Sequence, residues 1–290
     1  MKHVVVGHVA LDRIINDAGV SHRLGGPPSY SCAVSGVLDH DLDVITRVGP
    51  DFPVKYMEKY LKWGVELEKW RCDQHSTTFT LDYTKKPRGL GLENICEPIT
   101  IPNEHLPSVI LSPIAGELTG EQVANIDAGY VSLDPQGFIR ERNAQNEVQF
   151  IPWSSEDLGS VDLLKTSHEE QRYLSGESDP LRSLRQFSKK GVETSVITMG
   201  EEGSLVYHDD TCYEVPVYPT KTVDTTGAGD SFLTTVHDKL VSGGSLEWAL
   251  AYGSAVASGM VETYGPEFNL NLDEVTRRAE IVLERISKRA

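Results

Sequence analysis

The residues best placed to do chemistry lie between Thr222 and Phe232, where Thr-Val-Asp-Thr-Thr-Gly-Ala-Gly-Asp-Ser-Phe sets two acids and two glycines among small side chains. The stretch reads as a turn that opens directly into an apolar helix. Gly227 and Gly229 admit positive φ and let a ligand approach the backbone with no Cβ in the way. The N–H groups of Ala228, Gly229 and Asp230 then point out of a helix N-terminus, where the dipole favours negative charge. That is an anion site, suited to a transferring phosphoryl group. Asp230 stands in the first turn beside it. An aspartate there stabilises a helix start in any protein; beside an anion site it can also take the proton of a hydroxyl whose oxygen attacks phosphorus.

Such a turn has to be held by a scaffold, and the chain alternates strand-sized apolar runs with helical spacing. Strands are predicted at His3–Val9, Leu42–Val48, Val109–Pro113, Gly129–Leu133, Val161–Lys165 and Thr194–Met199. Helices are predicted at Ser29–Leu38, Pro53–Trp63, Thr119–Ile126, Glu169–Leu174 and Pro180–Lys190. The last has a cap and first-turn proline in Ser178-Asp179-Pro180, and a basic last turn and glycine stop in Lys189-Lys190-Gly191. Repeated β-then-α order implies a mostly parallel sheet covered on both faces. Residues 13–24 and 77–101 break that rhythm with strand-like alternation and read as a small accessory sheet, a lid, made by two excursions from the main domain. After Tyr213–Val217 only helices are expected: Ala228–Ser242, Ser245–Tyr264 and Leu272–Lys288.

With 290 residues and 39% apolar composition, the chain can form one large α/β domain. Its formal net charge of −16 disfavours a nucleic-acid backbone as partner. No apolar run approaches a membrane span, and Met1–His8 reads as a strand rather than a secretory signal, so a cytoplasmic location is expected. Cys32, Cys72, Cys96 and Cys212 are scattered and read as reduced thiols. Neither G-x-x-x-x-G-K-[ST] nor G-x-G-x-x-G is present, and H-E-x-x-H and G-x-S-x-G are also missing.

Asp224-Thr-Thr-Gly-Ala-Gly-Asp-Ser-Phe232 resembles, nearly residue for residue, the C-terminal signature of the PfkB/ribokinase family. That resemblance implies a three-layer α/β/α sandwich with a mostly parallel sheet, as a single domain over 1–290, and a β lid from about 12–24 and 76–102. It implies ATP as phosphoryl donor, Mg²⁺, and a stimulating monovalent cation. It casts Asp230 as base and the Gly227, Ala228 and Gly229 segment as anion hole. Thr226 and Gly229 would stand on the donor side, with Thr198, Gly200 and Gly203 of Thr198-Met-Gly-Glu-Glu-Gly203 as a nucleotide-side turn. Ser167-His-Glu-Glu170 takes the place of the family's Asn-x-x-Glu motif, so Glu170, with Asp224, is expected to organise the metal; a helix N-cap with first-turn acids explains it as well.

On the acceptor side, Asp12 matches the family's hydroxyl-binding aspartate, and Gly25-Gly26 resembles the N-terminal signature. Two departures stand out there: Tyr30 replaces the usual asparagine, and Thr234-Thr235 replace small residues in the catalytic helix. Asp134-Pro-Gln-Gly-Phe-Ile-Arg140, with Gly25, Gly26 and Tyr30, is similar to the archaeal and plant myo-inositol kinase branch. There Gln136 would touch substrate and Arg140 would bridge substrate and phosphate as a charged fork. Lys85, Lys86 and Arg88 in the lid offer charge for a phosphosugar, or serve simply as a solvated loop. A nucleoside or ribose-type kinase, or a non-catalytic sugar or nucleotide sensor, remains the alternative; in each case the partner is a small molecule, and a lid-paired homodimer is compatible with the fold.

Overall fold

The computed structural model describes residues 2–85, 89–154 and 158–289. In chain order its strands are β1 (Lys2–Val6), β2 (Ala10–Asn16), β3 (Gly19–Gly25), β4 (Asp41–Ile45), β5 (Thr77–Asp82), β6 (Gly89–Asn94), β7 (Val109–Leu111) and β8 (Val131–Leu133). They continue with β9 (Arg140–Arg142), β10 (Val148–Phe150), β11 (Leu163–Ser167), β12 (Thr194–Thr198), β13 (Ser204–His208), β14 (Thr211–Val215) and β15 (Ser287–Arg289). The α-helices are α1 (Pro27–Ala33), α2 (Val54–Lys62), α3 (Gly120–Ala124), α4 (Gln171–Ser175), α5 (Pro180–Lys189), α6 (Ala228–Val241), α7 (Leu246–Met260) and α8 (Leu272–Leu283).

The main sheet has nine strands in the order β15-β14-β13-β12-β11-β8-β7-β1-β4. From β4 to β12 neighbours run parallel; β13, β14 and β15 close one edge antiparallel. Period-2 alternation of apolar residues supplies both faces. Val5, Ile110 and Leu163 pack with Val34 of the α1 end, Phe232 of α6, Ala251 of α7 and Val275 of α8. Their chain neighbours Val6, Leu111 and Leu164 pack oppositely with Val123 of α3, Leu174 of α4 and Phe187 of α5. The result is a three-layer α/β/α sandwich. No helix among the described residues is long and apolar enough to cross a membrane.

The two excursions form a separate four-stranded sheet, β3-β2-β5-β6, with β2 and β5 parallel and the outer pairs antiparallel. It packs Ile14, Phe79, Leu81 and Leu92 against Ile114 and Ala115 of the main domain. Its first strand starts at Ala10, because β1 already ends at Val6 and Gly7 to Val9 make the crossing. Residues 95–102 lie outside its strands. Lys86 and Arg88 lie outside the described residues, whereas Lys85 is exposed.

Two expectations need correction and one element is added. The helix predicted over Ser29–Leu38 stops at Ala33 and gives way to a 3-10 turn, Ser35–Val37. Residues 140–150 carry a short hairpin, β9 and β10, that their charged composition hides. The tail is not helical throughout, for β15 pairs with β14, with Arg289 opposite Cys212. Its Ser-Lys-Arg sequence lacks strand propensity; Lys288 and Arg289 instead sit near Glu247 and Glu214, and the charged edge discourages further pairing.

Helix α6 is anchored at its middle and at its end. Midway, Ser31 Oγ of α1 meets Thr234 Oγ1 at 2.6 Å, while Thr235 Oγ1 donates to the Ser231 carbonyl at 2.7 Å. Thr234 therefore ties α1 to α6, and the Thr235 hydroxyl is satisfied within α6 itself. At its end Asp238, fully buried, accepts from His3 Nε2 at 3.0 Å, His40 Nδ1 at 3.1 Å and the Asp39 N–H at 2.9 Å.

Candidate active site

The turn into α6 is built by its own residues. Asp224 Oδ1 accepts from the Thr226 N–H at 3.0 Å and the Thr226 hydroxyl at 2.7 Å, closing the backbone on itself. Gly227 follows as N-cap in the left-handed region, φ 80°. The ring of Tyr30 lies against it so closely that a Cβ at 227 would overlap the ring. Of the first-turn N–H groups of α6, that of Ala228 makes a long bond of 3.4 Å to the Thr225 carbonyl, while those of Gly229 and Asp230 precede the first intrahelical bond, and all three residues line the cavity. Gly229 is helical rather than positive in φ; its missing side chain matters because a Cβ there would come 2.6 Å from Lys165 Nζ.

Around this turn runs a cavity of ≈ 850 Å³. Asp12, Gly26 and Gln136, together with Phe79, Leu81 and Leu90 of the four-stranded sheet, line it. So do Thr198, Gly200 and Gly203, with Tyr218, Ala257 and Val261. Thr226, Gly227, Ala228, Gly229, Asp230, Tyr30, Arg140 and Glu170 lie along the wall as well. The structure thus brings together nearly all the residues singled out from the sequence.

Gly25 and Asp224 are the exceptions, since neither lines the cavity. Gly25 stands behind Asp12, whose carboxylate occupies the place a Cβ would need. Asp224 turns to its own loop and to Arg23 Nη1, 3.3 Å away. The structure therefore gives both a supporting place rather than a ligand-facing one. Tyr30 is 2% exposed and acts as floor; burial, then Asp12, Asp224 and Asp230, push its hydroxyl well above the usual tyrosine pKa.

The electrostatics centre on five charged groups. Lys165 of β11 is buried and hydrogen-bonded to Asp134, which also accepts from Gln136 Nε2 at 2.8 Å. Burial works against the ammonium, but Asp134, Asp230 and Glu170 together hold its pKa above that of an ordinary lysine. Arg140 Nη2 donates to Glu170 Oε1 at 2.9 Å, while Ser167 Oγ donates to Oε2 at 2.7 Å. Burial would raise the Glu170 pKa; Arg140, Lys165 and Ser167 more than reverse that.

Asp230 behaves differently. Its Oδ1 is enclosed and has no hydrogen-bond partner. Burial raises its pKa to about 6, helped by Asp134 and Glu170 and opposed by Lys165 and Arg140. With Asp230 ionised, two cations face three carboxylates, so a phosphate arriving here needs a cation of its own.

Lys165 and Asp134 were not among the residues chosen for chemistry from the sequence. A signal was present, since a lysine in Leu163-Leu-Lys-Thr-Ser167 interrupts a strand that must be buried on both faces. Asp134 opens a segment already noted, at the carboxyl end of β8, where α/β sheets hold their ligands.

Residues 144–272 match the pfkB family carbohydrate kinase pattern. The 5-dehydro-2-deoxygluconokinase of Halalkalibacterium halodurans is 38% identical over 270 residues, 84% of this chain and 81% of that protein. The inositol 3-kinase of Arabidopsis thaliana is 29% identical over 303 residues, 95% of this chain and 80% of the plant protein. Nucleoside kinases stand at comparable similarity. A solved pyrophosphate-dependent kinase in the ribokinase family, complexed with a pyrophosphate analog and myo-inositol, superposes with a TM-score of 0.80 at 22% identity, over 95% of this chain and 99% of that one.

Proposed function

We propose that this chain, which belongs to the pfkB family of carbohydrate kinases, transfers the γ-phosphoryl group of ATP to a hydroxyl of a small polyol, with myo-inositol as the first candidate. The single observation that carries this reading is the one cavity whose wall holds Asp12 and Gln136, Asp230 and the α6 turn, and Thr198 and Gly200 together. An acceptor beside Asp12, Gly26 and Gln136 would present a hydroxyl to Asp230. A donor entering past Thr198 and Gly200 would lay its terminal phosphate on the amides of Ala228, Gly229 and Asp230.

In that arrangement the acceptor oxygen attacks phosphorus as its proton passes to Asp230. The bond to the β-phosphate oxygen then breaks, and ADP leaves. Lys165 sits behind Gly229, where its ammonium meets charge growing on the transferring group. Arg140 is positioned by Glu170 to serve the same end as a planar fork. A magnesium ion fits the donor set, because Glu169 and Glu170 both line the cavity and Mg²⁺ needs only one or two carboxylates besides phosphate oxygens and water. When bound it would neutralise phosphate charge. Gly25 and Asp224 act through Asp12 and the α6 turn.

The myo-inositol assignment is supported by the plant relative and by the superposed kinase, whose own ligands include myo-inositol. ATP over pyrophosphate is supported by Val217, Pro219, Ala257 and Val261, apolar residues of the cavity lining that suit a purine base and not pyrophosphate. The test is phosphoryl transfer measured from Mg-ATP and from Mg-pyrophosphate, with myo-inositol, ribose, fructose, 2-keto-3-deoxygluconate, adenosine and cytidine as acceptors. Turnover of myo-inositol with ATP is expected to exceed the others by about tenfold or more. Preference for a nucleoside would overturn the acceptor, and preference for pyrophosphate would overturn the donor.

A further inference from the structure

Sequence spacing leaves the four cysteines scattered, yet folding brings two of them together. Cys72 Sγ and Cys96 Sγ lie 3.2 Å apart. A disulfide bond is about 2.05 Å long, so the sulfurs have only about 1 Å to close. Both stand at the root of the four-stranded sheet: Cys72 precedes β5, and Cys96 follows β6. They belong to different bodies. The Cys72 N–H donates to the Val48 carbonyl at 3.0 Å, on the main-domain segment after β4. The Cys96 N–H donates to Thr77 Oγ1 at 3.0 Å, at the start of β5. Neither sulfur is used by the site described above.

We infer that Cys72 and Cys96 form a dithiol–disulfide modification site, and that its oxidation by a low-molecular-weight disulfide fixes the root of the lid to the main domain. The inference rests on the reading of the four-stranded sheet as a lid. Cys72 is half-buried and reachable, while burial pushes the Cys96 thiol up to about 12. Cys72 is therefore the attacking sulfur and Cys96 the resolving one. As a thiolate, Cys72 attacks oxidised glutathione, forming a mixed disulfide and releasing one glutathione thiolate. Cys96, losing its proton, attacks the Cys72 sulfur and expels the second glutathione thiolate. Two protein thiols are oxidised by two electrons, one glutathione disulfide is reduced to two thiols, and the two protons end on the released glutathione. The new bond closes a loop over residues 73–95, which contains the β5–β6 hairpin whose Phe79, Leu81 and Leu90 line the cavity.

The experiment treats the full chain with oxidised glutathione, then counts thiols under denaturation and maps peptides without reduction. The link is read without any reaction being run, so it stands or falls separately from the kinase reading. The expected result is loss of two of the four thiols, a peptide pair joined through Cys72 and Cys96, and turnover lowered about twofold or more as the lid is restrained. Dithiothreitol restores turnover, and Cys72→Ser keeps its turnover through the treatment. Four remaining thiols, a glutathione adduct left on Cys72, or a joined pair with unaltered turnover would each overturn the proposal.

Discussion

The two ends of α6 each carry a buried aspartate carboxylate, and the fold treats them in opposite ways. Asp238, at the C-terminal end, accepts from His3, His40 and the Asp39 N–H and lies 3.5 Å from Lys239 Nζ. Burial alone would raise its pKa; those donors and that charge bring it down to about 2. Asp230, at the N-terminal end, has an enclosed Oδ1 with no partner and a pKa raised to about 6. One helix thus carries a carboxylate content to stay ionised and another kept poised for a proton. Asp238 stabilises structure, whereas Asp230 holds its charge at a cost that only a reaction would explain. On the proposed function, stability and chemistry are separated along a single element.

The widest break in that comparison comes from Asp230→Asn. The carboxamide keeps the shape but cannot take a proton, so turnover is expected to fall about 10²–10⁴-fold. Donor affinity by calorimetry should stay within a few-fold. Retained turnover would show that Asp230 is a helix-start charge after all. At the other end, Asp238→Ala leaves two imidazoles and the Asp39 N–H without their acceptor inside the protein. Urea unfolding should show a loss of about 3 kcal/mol or more, while turnover per folded molecule changes little. A loss under about 1 kcal/mol would mean that water replaces the carboxylate there.

How far the sequence foretold this difference depends on the range of the interactions. The α6 turn was legible because its glycines, small residues and acid are consecutive, so local conformation alone assembles the proposed anion site. The parallel sheet was legible from Val5, Ile110 and Leu163 alternating with their neighbours, a period-2 pattern that both faces require. Asp238 gave no sign, since its partners His3 and His40 are some two hundred residues away and meet it only through the order of β1 and β4 in the sheet. The Cys72–Cys96 pair was hidden for the same reason, since only folding brings the two sulfurs together, whereas Lys165 left a sign as a charge inside an apolar strand. Tyr30 was expected against substrate; it lines the cavity and its ring also packs on Gly227, a second contact that sequence neighbourhood does not show. The strand β15 was missed because pairing with β14 overrides the poor propensity of Ser-Lys-Arg.

The sharpest form of the comparison is the sign of each carboxylate's contribution to stability against pH. A carboxylate whose pKa falls on folding stabilises the native state above its unfolded value, near 3.8, and loses that contribution as pH falls through the folded value. For Asp238 the window runs from about 4 down to about 2. A carboxylate whose pKa rises does the reverse. The native state of Asp230 binds its proton more tightly, so its contribution is fully present below about 3.8 and is lost as pH climbs through about 6. The effect should amount to about 2 kcal/mol for Asp238 and about 3 kcal/mol for Asp230. Urea unfolding of the unaltered chain, Asp230→Asn and Asp238→Asn from pH 2.5 to 7 reads them as differences, which cancels the titration of every other group. The penalty of Asp238→Asn should shrink as pH falls below 4, and the relative stability of Asp230→Asn should grow between pH 4 and 6 and then level off. Turnover of the unaltered chain should rise through the same upper window, because the ionised carboxylate that costs stability there is the form that accepts the proton. If both differences moved the same way with pH, or if turnover ignored the window near 6, the two ends of α6 would not be the separate devices their surroundings make them.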